Sequence, residues 1–307
     1  MLRFVLRRFL SALPTLFIVV TLAFFMMRIA PGGPFNLERP LEPQVMENLN
    51  RAFHLDQSLM VQYGHYLLNV LKGDFGPSFV YRDYSVAELI LQGLPYSVTL
   101  GLWALALALL GGVLTGTWAA LRQNAAIDYL LMGISAIGNT VPNFVTGPVL
   151  SLVLGVSLAW LPTAGWGPGD FSHLVLPVIV LALPQLAVFA RLTRASMIEA
   201  LRADHVRTAR AYGLPAATVV VTHALRAALM PVVSYLGPAA AALMTGSIIV
   251  ETIFSLPGVG RYFVQGALNR DYTLVMGTVV LISVFIVILN LVVDTVYALI
   301  DPRVRYE

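Results

Sequence analysis

Val98-Thr-Leu-Gly-Leu-Trp-Ala-Leu-Ala-Leu-Ala-Leu-Leu-Gly-Gly-Val-Leu-Thr-Gly-Thr-Trp-Ala-Ala-Leu121 runs without a charge or a proline over a length that covers a bilayer. About 20 apolar residues cross roughly 30 Å of hydrocarbon, where only a helix satisfies its own backbone. Five more segments read the same way: 9–30, 128–155, 174–192, 230–252 and 274–299. The segments 128–155 and 174–192 carry Pro142, Pro148, Pro177 and Pro184, which membrane helices accommodate when neighbours take up the freed carbonyls. Composition agrees. The chain is 58% hydrophobic and 11% charged, against about 25% charged in a soluble domain. The expected fold class is an all-α membrane protein with six transmembrane helices.

The basicity is arginine, Lys72 being the only lysine, and a net charge of +3 is too small and too dispersed to suggest nucleic acid. It suits arginines held at a membrane surface. With no cysteine there are no disulfides, thiolate metal sites or cysteine nucleophiles. The basic start Met1–Arg8 precedes an apolar run longer than a signal-peptide core and without a small-x-small cleavage site, so a retained first span is expected. With the N-terminus inside, twelve basic residues fall on the inner side and seven on the outer, five of those within the long segment 28–97. Long loops translocate largely regardless of charge, so the short loops support both termini inside.

Three regions follow. Residues 1–30 form the N-terminal segment and first span. Residues 31–97 form a long outer, periplasmic segment, and residues 98–307 form the transmembrane core with an inner loop at 193–229. In the outer segment, Pro43 opens a helical pattern carrying Val45, Leu49 and Phe53, and Asp56 is placed to cap a second helix through Leu71, with Gly73 beyond it. Ser85-Val-Ala-Glu88 reads as a capping box before a third short helix leading to Pro95. These faces predict a small helical cap packed on the spans, or helices lying in the membrane interface.

No chemistry of its own is legible in the chain. A Walker loop needs a lysine after its glycines, and Lys72 stands in Leu-Lys-Gly-Asp. Gly258-Val-Gly260 lacks the rest of a dinucleotide fingerprint. His54, His65, His173, His205 and His223 never stand at i, i+4, and no Gly-x-Ser-x-Gly elbow occurs. Ionisable groups are scarce within the spans: Asp128 begins one, Glu251 ends one, and Asp294 lies near an inner end within reach of headgroups or Arg303. Energy for transport must then come from a partner.

The inner loop is where a partner can push. Ser196 to Tyr212 reads as a helix, Gly213 as its left-handed terminus, and Leu214-Pro215 as the stop before a second short helix, Ala216 to Leu229. A rigid helix–Gly–helix elbow transmits movement that a floppy loop absorbs. A basic loop lying on anionic lipid is the other use of such residues.

Arg207-Thr208-Ala209-Arg210-Ala211-Tyr212-Gly213, with His223-Ala224-Leu225 beyond, resembles the EAA loop of ABC importer permeases in its dipeptide/oligopeptide/nickel form, Tyr212 standing where lysine is usual. The likeness runs through Arg28-Ile-Ala-Pro-Gly-Gly-Pro34, Gly73-Asp-Phe-Gly76, Glu251-Thr-Ile-Phe-Ser-Leu-Pro-Gly-Val-Gly260, Asn269-Arg-Asp-Tyr272 and Ile300-Asp-Pro-Arg303. It implies a type I ABC importer permease (MetI-like) fold in which residues 207–213 are the coupling loop contacting an ATPase. It also implies a second homologous permease subunit, two ATPase subunits that hold ATP and magnesium, and a periplasmic peptide-binding protein. No cofactor or metal is implied in this chain. Oligopeptide is the implied cargo, with dipeptide, a nickel chelate or another small solute as alternatives within the family. A stand-alone secondary transporter is the alternative of a different class. On the fifth span, Gly237, Ala241, Ala242, Thr245 and Gly246 are small residues suited to close helix packing or to lining a passage.

Overall fold

The computed structural model describes residues 2–29, 44, 47, 56–81, 83–167 and 170–300, excluding the side chains of residues 2–7, 9, 245, 246, 293, 294 and 296–300. Among the described residues the regular elements are helices, joined by one isolated antiparallel bridge between Pro77 and Ser85. In chain order they are α1 (Leu2–Ile29), α2 (Leu59–Leu71), α3 (Val86–Leu121), α4 (Ala126–Thr140) and α5 (Asn143–Ser157). Then follow α6 (Ser172–Arg202), α7 (Asp204–Ala211), α8 (Ala216–Ser234), α9 (Leu236–Ile253), α10 (Val259–Leu268) and α11 (Tyr272–Ile300). Six of them, α1, α3, α6, α8, α9 and α11, are long and apolar enough to cross a membrane, and α4 with α5 makes one more candidate span bent by 106°.

Several expected boundaries move. The capping box forms, with Ser85 Oγ accepting the Glu88 N–H at 3.2 Å and Glu88 Oε2 accepting the Ser85 N–H at 2.8 Å. The helix it opens does not stop at Pro95, however, but continues as α3 to Leu121. On either side of the proline, α10 holds the rod: Gly93 lies against Val259, and Ser97 Oγ accepts the Val259 N–H at 2.9 Å. The span expected at 128–155 breaks at Val141-Pro142, whose extended backbone no helix can contain. The second cap helix starts after Ser58 and not Asp56. Of the first, at 45–53, Val45, Leu49 and Phe53 lie outside the described residues, as do the side chain of Asp294 and all of Arg303. The helix expected from Ser196 to Tyr212 is split at Ala203, and that expected to end at Leu229 continues through Pro231 to Ser234.

The bundle is organised on α3 against α6. Ala104, Ala108, Gly112, Gly116 and Ala120 place a small residue at every fourth position of α3, and all are buried. The result is backbone contact: a Cβ on Gly112 would stand 2.5 Å from Phe189 Cβ, and one on Gly116 would stand 2.4 Å from the Ala190 carbonyl oxygen. Small residues at this spacing let membrane helices approach closely enough for dispersion to replace the hydrophobic effect, which lipid does not supply between helices. The opposite face of α3 turns Leu102, Trp103, Leu110, Leu114 and Trp118 outward, as a lipid-facing surface requires.

α1 lies antiparallel along α11, with Phe24 packed on Tyr272 and Met276. α2 joins them through Tyr63 and Tyr66, and Tyr66 stacks on Phe24 at 5.5 Å between ring centroids. Burial pushes the Tyr66 phenol above its ordinary pKa.

Candidate coupling site

α7 is a two-turn helix set at one end of the bundle. Ala203, in extended conformation between α6 and α7, lets the chain turn so that Val206 and Ala209, at i and i+3, face inward. They pack with Met197 and Ala200 of α6, Val219, Ala224 and Ala228 of α8, and Ala120 at the end of α3. Arg207, Thr208, Arg210, Ala211 and Tyr212 are exposed, Tyr212 at 82%. Asp204 in the first turn and Arg210 in the last suit the helix dipole. The Arg207–Asp204 contact at 3.5 Å lies between largely exposed side chains and adds little.

The elbow closes as a complete Schellman motif. The Gly213 N–H donates to the Arg210 carbonyl at 2.9 Å and the Leu214 N–H to the Ala209 carbonyl at 3.3 Å, while Gly213 holds φ +74°. Pro215 then starts α8, and His205 Nε2 lies 3.3 Å from the His223 carbonyl oxygen across the elbow. Two inward side chains, a paired backbone and a left-handed glycine make the projecting face rigid. All seven residues singled out from sequence, Arg207 to Gly213, are thus brought together.

Of the small residues of α9, the three with described side chains are divided between faces. Gly237 is buried, Ala241 half-buried and Ala242 exposed, while the side chains of Thr245 and Gly246 lie outside the described set. The buried face of α9 also carries Ala240, Leu243, Ser247 and Val250, with Phe254 just beyond its end. Cavities between α3, α9 and α11 amount to about 30 and 40 Å³, room for a water molecule or so.

Two polar constellations escaped the sequence reading. At the α7 end, Asp128 is 1% exposed and receives Arg194 in a two-pronged pair, Nε to Oδ1 at 2.6 Å and Nη2 to Oδ2 at 2.6 Å, while Oδ2 also accepts the Asn124 N–H at 2.9 Å. At the opposite end, Glu251 is buried beneath the start of α10, and its Oε2 accepts the Gly260 N–H at 2.7 Å. Ser97 Oγ accepts the neighbouring Val259 N–H at 2.9 Å. Opposite charges near the same ends of consecutive spans were the available signal for Asp128 and Arg194. No spacing rule pointed to Ser97 and Glu251.

Apolar helices packed through small residues, with a rigid basic elbow at one end, fit the type I ABC importer permease fold that the sequence resemblance implies. The chain belongs to the family of binding-protein-dependent transport system inner membrane components, whose model matches residues 112–306, while the model of the N-terminal region matches residues 1–101. It is 49% identical over 306 residues to the oligopeptide transport system permease protein OppB of Haemophilus influenzae (strain ATCC 51907 / DSM 11121 / KW20 / Rd), covering 100% of both chains. The same identity, 49% over 306 residues and 100% of both chains, holds for OppB of Escherichia coli (strain K12). The dipeptide transport system permease protein DppB of Bacillus subtilis (strain 168) is 41% identical over 305 residues, 99% of this chain and 98% of that one. The chain is thus a multi-pass inner-membrane transport component.

Proposed function

We propose that this chain is a non-catalytic permease subunit of an ABC importer that moves oligopeptides inward by alternating access, driven by ATP hydrolysis in partner chains. The observation that carries the proposal is the α7 elbow: Val206 and Ala209 are locked into the core while residues 207, 208 and 210–212 face outward. A movement imposed on that face reaches α3, α6 and α8 together, because all of them share its apolar contacts. The elbow and both termini are cytoplasmic. The elbow seats in an ATPase subunit, one of two that hold ATP and magnesium, and the opposite end receives a periplasmic peptide-binding protein. The cavities among α3, α9 and α11, about 30 and 40 Å³, are far too small for a peptide, and the larger one of about 260 Å³ lies apart from them, between α1 and α11, which fits a passage shared with a second, homologous permease subunit. Two discrete packings of such a pair, not a standing pore, give alternating access.

Oligopeptide as cargo is supported by the 49% identity to OppB over the full chain, and dipeptide is the second reading, supported by 41% identity to DppB. The test uses the natural absence of cysteine. Tyr212→Cys in the assembled transporter is expected to react with a membrane-impermeant maleimide only from the cytoplasmic side, and less when the ATPase subunits are bound. Labelling from the outside overturns the topology. Uptake of labelled tetra- and dipeptides by the same preparation decides between the two cargoes.

A further inference from the structure

We infer that the Asp128–Arg194 pair is a positioning link that carries movement of the elbow from α6 into the bent pair α4–α5, an inference resting on the elbow being the ATPase contact proposed above. The mechanical path can be followed residue by residue. α7 is fastened to the end of α6 by Val206 and Ala209 against Met197 and Ala200, so that end and the elbow form one body. Arg194 stands one turn up α6 from Met197 and grips Asp128 at the foot of α4 through two 2.6 Å contacts. A two-pronged guanidinium–carboxylate pair fixes orientation as well as distance. Its second acceptor role, toward the Asn124 N–H at 2.9 Å, anchors the turn between α3 and α4 to the same carboxylate.

Above its foot, α4 meets the described residues by smooth contact. Among its described residues the buried ones are Asp128 and Ser135, and the Ser135 hydroxyl donates within its own helix, to the Leu131 carbonyl at 2.8 Å. Gly138 offers a bare surface to Leu183, whose carbonyl oxygen would lie 3.4 Å from an added Cβ. Tyr129, Leu130, Ile134 and Ile137 face away from the bundle. At its far end α4 meets the 106° bend at Val141-Pro142, beyond which α5 is seated by Gly147 on Ile253 and Phe254 of α9. A rod tied at its foot, sliding along its length and bent at its top is a lever. Small side chains permit the slide, and the ion pair supplies the grip. Without the grip, α6 moves past α4 and leaves it behind.

The experiment uses the full transporter, with cognate permease, ATPases and binding protein, reconstituted in liposomes. Peptide uptake and ATP hydrolysis are measured together for Asp128→Asn, for Arg194→Lys, which keeps the charge but loses the fork, and for the exchange Asp128→Arg with Arg194→Asp. The single variants are expected to assemble and hydrolyse ATP while uptake per ATP falls about tenfold, within the usual range of site-to-site coupling. The exchange is expected to recover most of that ratio. An unchanged ratio in either assembled single variant overturns the inference, as does an assembled exchange that recovers nothing. Loss of assembled complex with uptake per ATP intact assigns the pair a structural role only, and also overturns it. A Tyr212→Cys cross-link to the ATPase, run on an otherwise unaltered chain, separates the two readings: its absence defeats the elbow, and its presence with an unchanged ratio defeats only the lever.

Discussion

The Glu251 carboxylate, at the end of α9, accepts the backbone N–H of Gly260 at 2.7 Å and so caps a helix to which it does not belong. Gly258, the residue in the capping position of α10, has no side chain to do this. A Cβ there would stand 2.3 Å from Glu251 Oε2 and 2.7 Å from Ser97 Oγ, so the cap arrives from α9 and α3 because glycine leaves room for it.

Glu251→Ala is therefore expected to lower the stability of the detergent-solubilised protein by about 1–3 kcal/mol, the usual penalty for stranding a buried donor. Glu251→Gln, which keeps an accepting oxygen, is expected to lose less. Thermal unfolding of the three proteins side by side checks the order, and equal losses for Ala and Gln refute the capping role.

Asp271 ties the chain before α3 to the start of α11. It accepts from Ser78 Oγ at 2.5 Å, from the N–H groups of Phe79 and Val80 at 3.0 and 3.2 Å, and from Leu274 N–H at 3.1 Å. Asp271→Ala is expected to speed amide exchange at Phe79, Val80 and Leu274 together while leaving the α3–α6 interface protected. Hydrogen exchange read by mass spectrometry resolves the two regions, and unchanged exchange at 78–81 contradicts the prediction.

One substitution, glycine to alanine, should act in opposite directions at two positions. At Gly116 the new methyl meets the Ala190 carbonyl oxygen at 2.4 Å and Thr193 Cβ at 2.7 Å, so the helices must part, at a cost of about 1–3 kcal/mol. At Gly133 on α4 nothing lies within 4 Å, and alanine is expected to stabilise the helix by roughly 0.5–1 kcal/mol. Melting temperatures of the two variants against the parent decide it.

Gly213→Ala isolates backbone strain, since no atom lies within 4 Å of the added carbon yet φ is +74°. The expected cost is about 1–2 kcal/mol, expressed locally as faster limited proteolysis between Tyr212 and Ala216. Asparagine, which tolerates the left-handed region better, is expected to fall between the two. Proteolysis rates no faster than the parent's in the alanine variant rule the motif out as the elbow's lock.

Much of this architecture was legible in sequence, and the omissions have identifiable causes. The stop of the elbow was visible because it is local, Gly213 followed by Leu214-Pro215, whereas the break at Ala203 and the inward face of Val206 and Ala209 emerged only in the structure. The small-residue stripe of α3 is equally periodic, with Gly112 and Gly116 four apart, whereas on α9 Gly237 is buried and Ala242 exposed, a division that spacing alone does not reveal. Continuity through Pro95 and Pro231 was missed because whether a proline ends a helix depends on neighbours that sequence does not display.

The apolar segments, the capping box at Ser85 and the glycine-bent end of the elbow are all properties of consecutive residues, and consecutive residues suffice to determine them. Asp128 finding Arg194 across 66 positions, Asp271 finding Ser78 across 193, and Glu251 capping a helix it does not belong to were decided by tertiary structure alone. The physical reason is that a buried polar group must find its partner wherever the packing of small residues brings one, and helix packing brings together residues that no spacing along the chain relates.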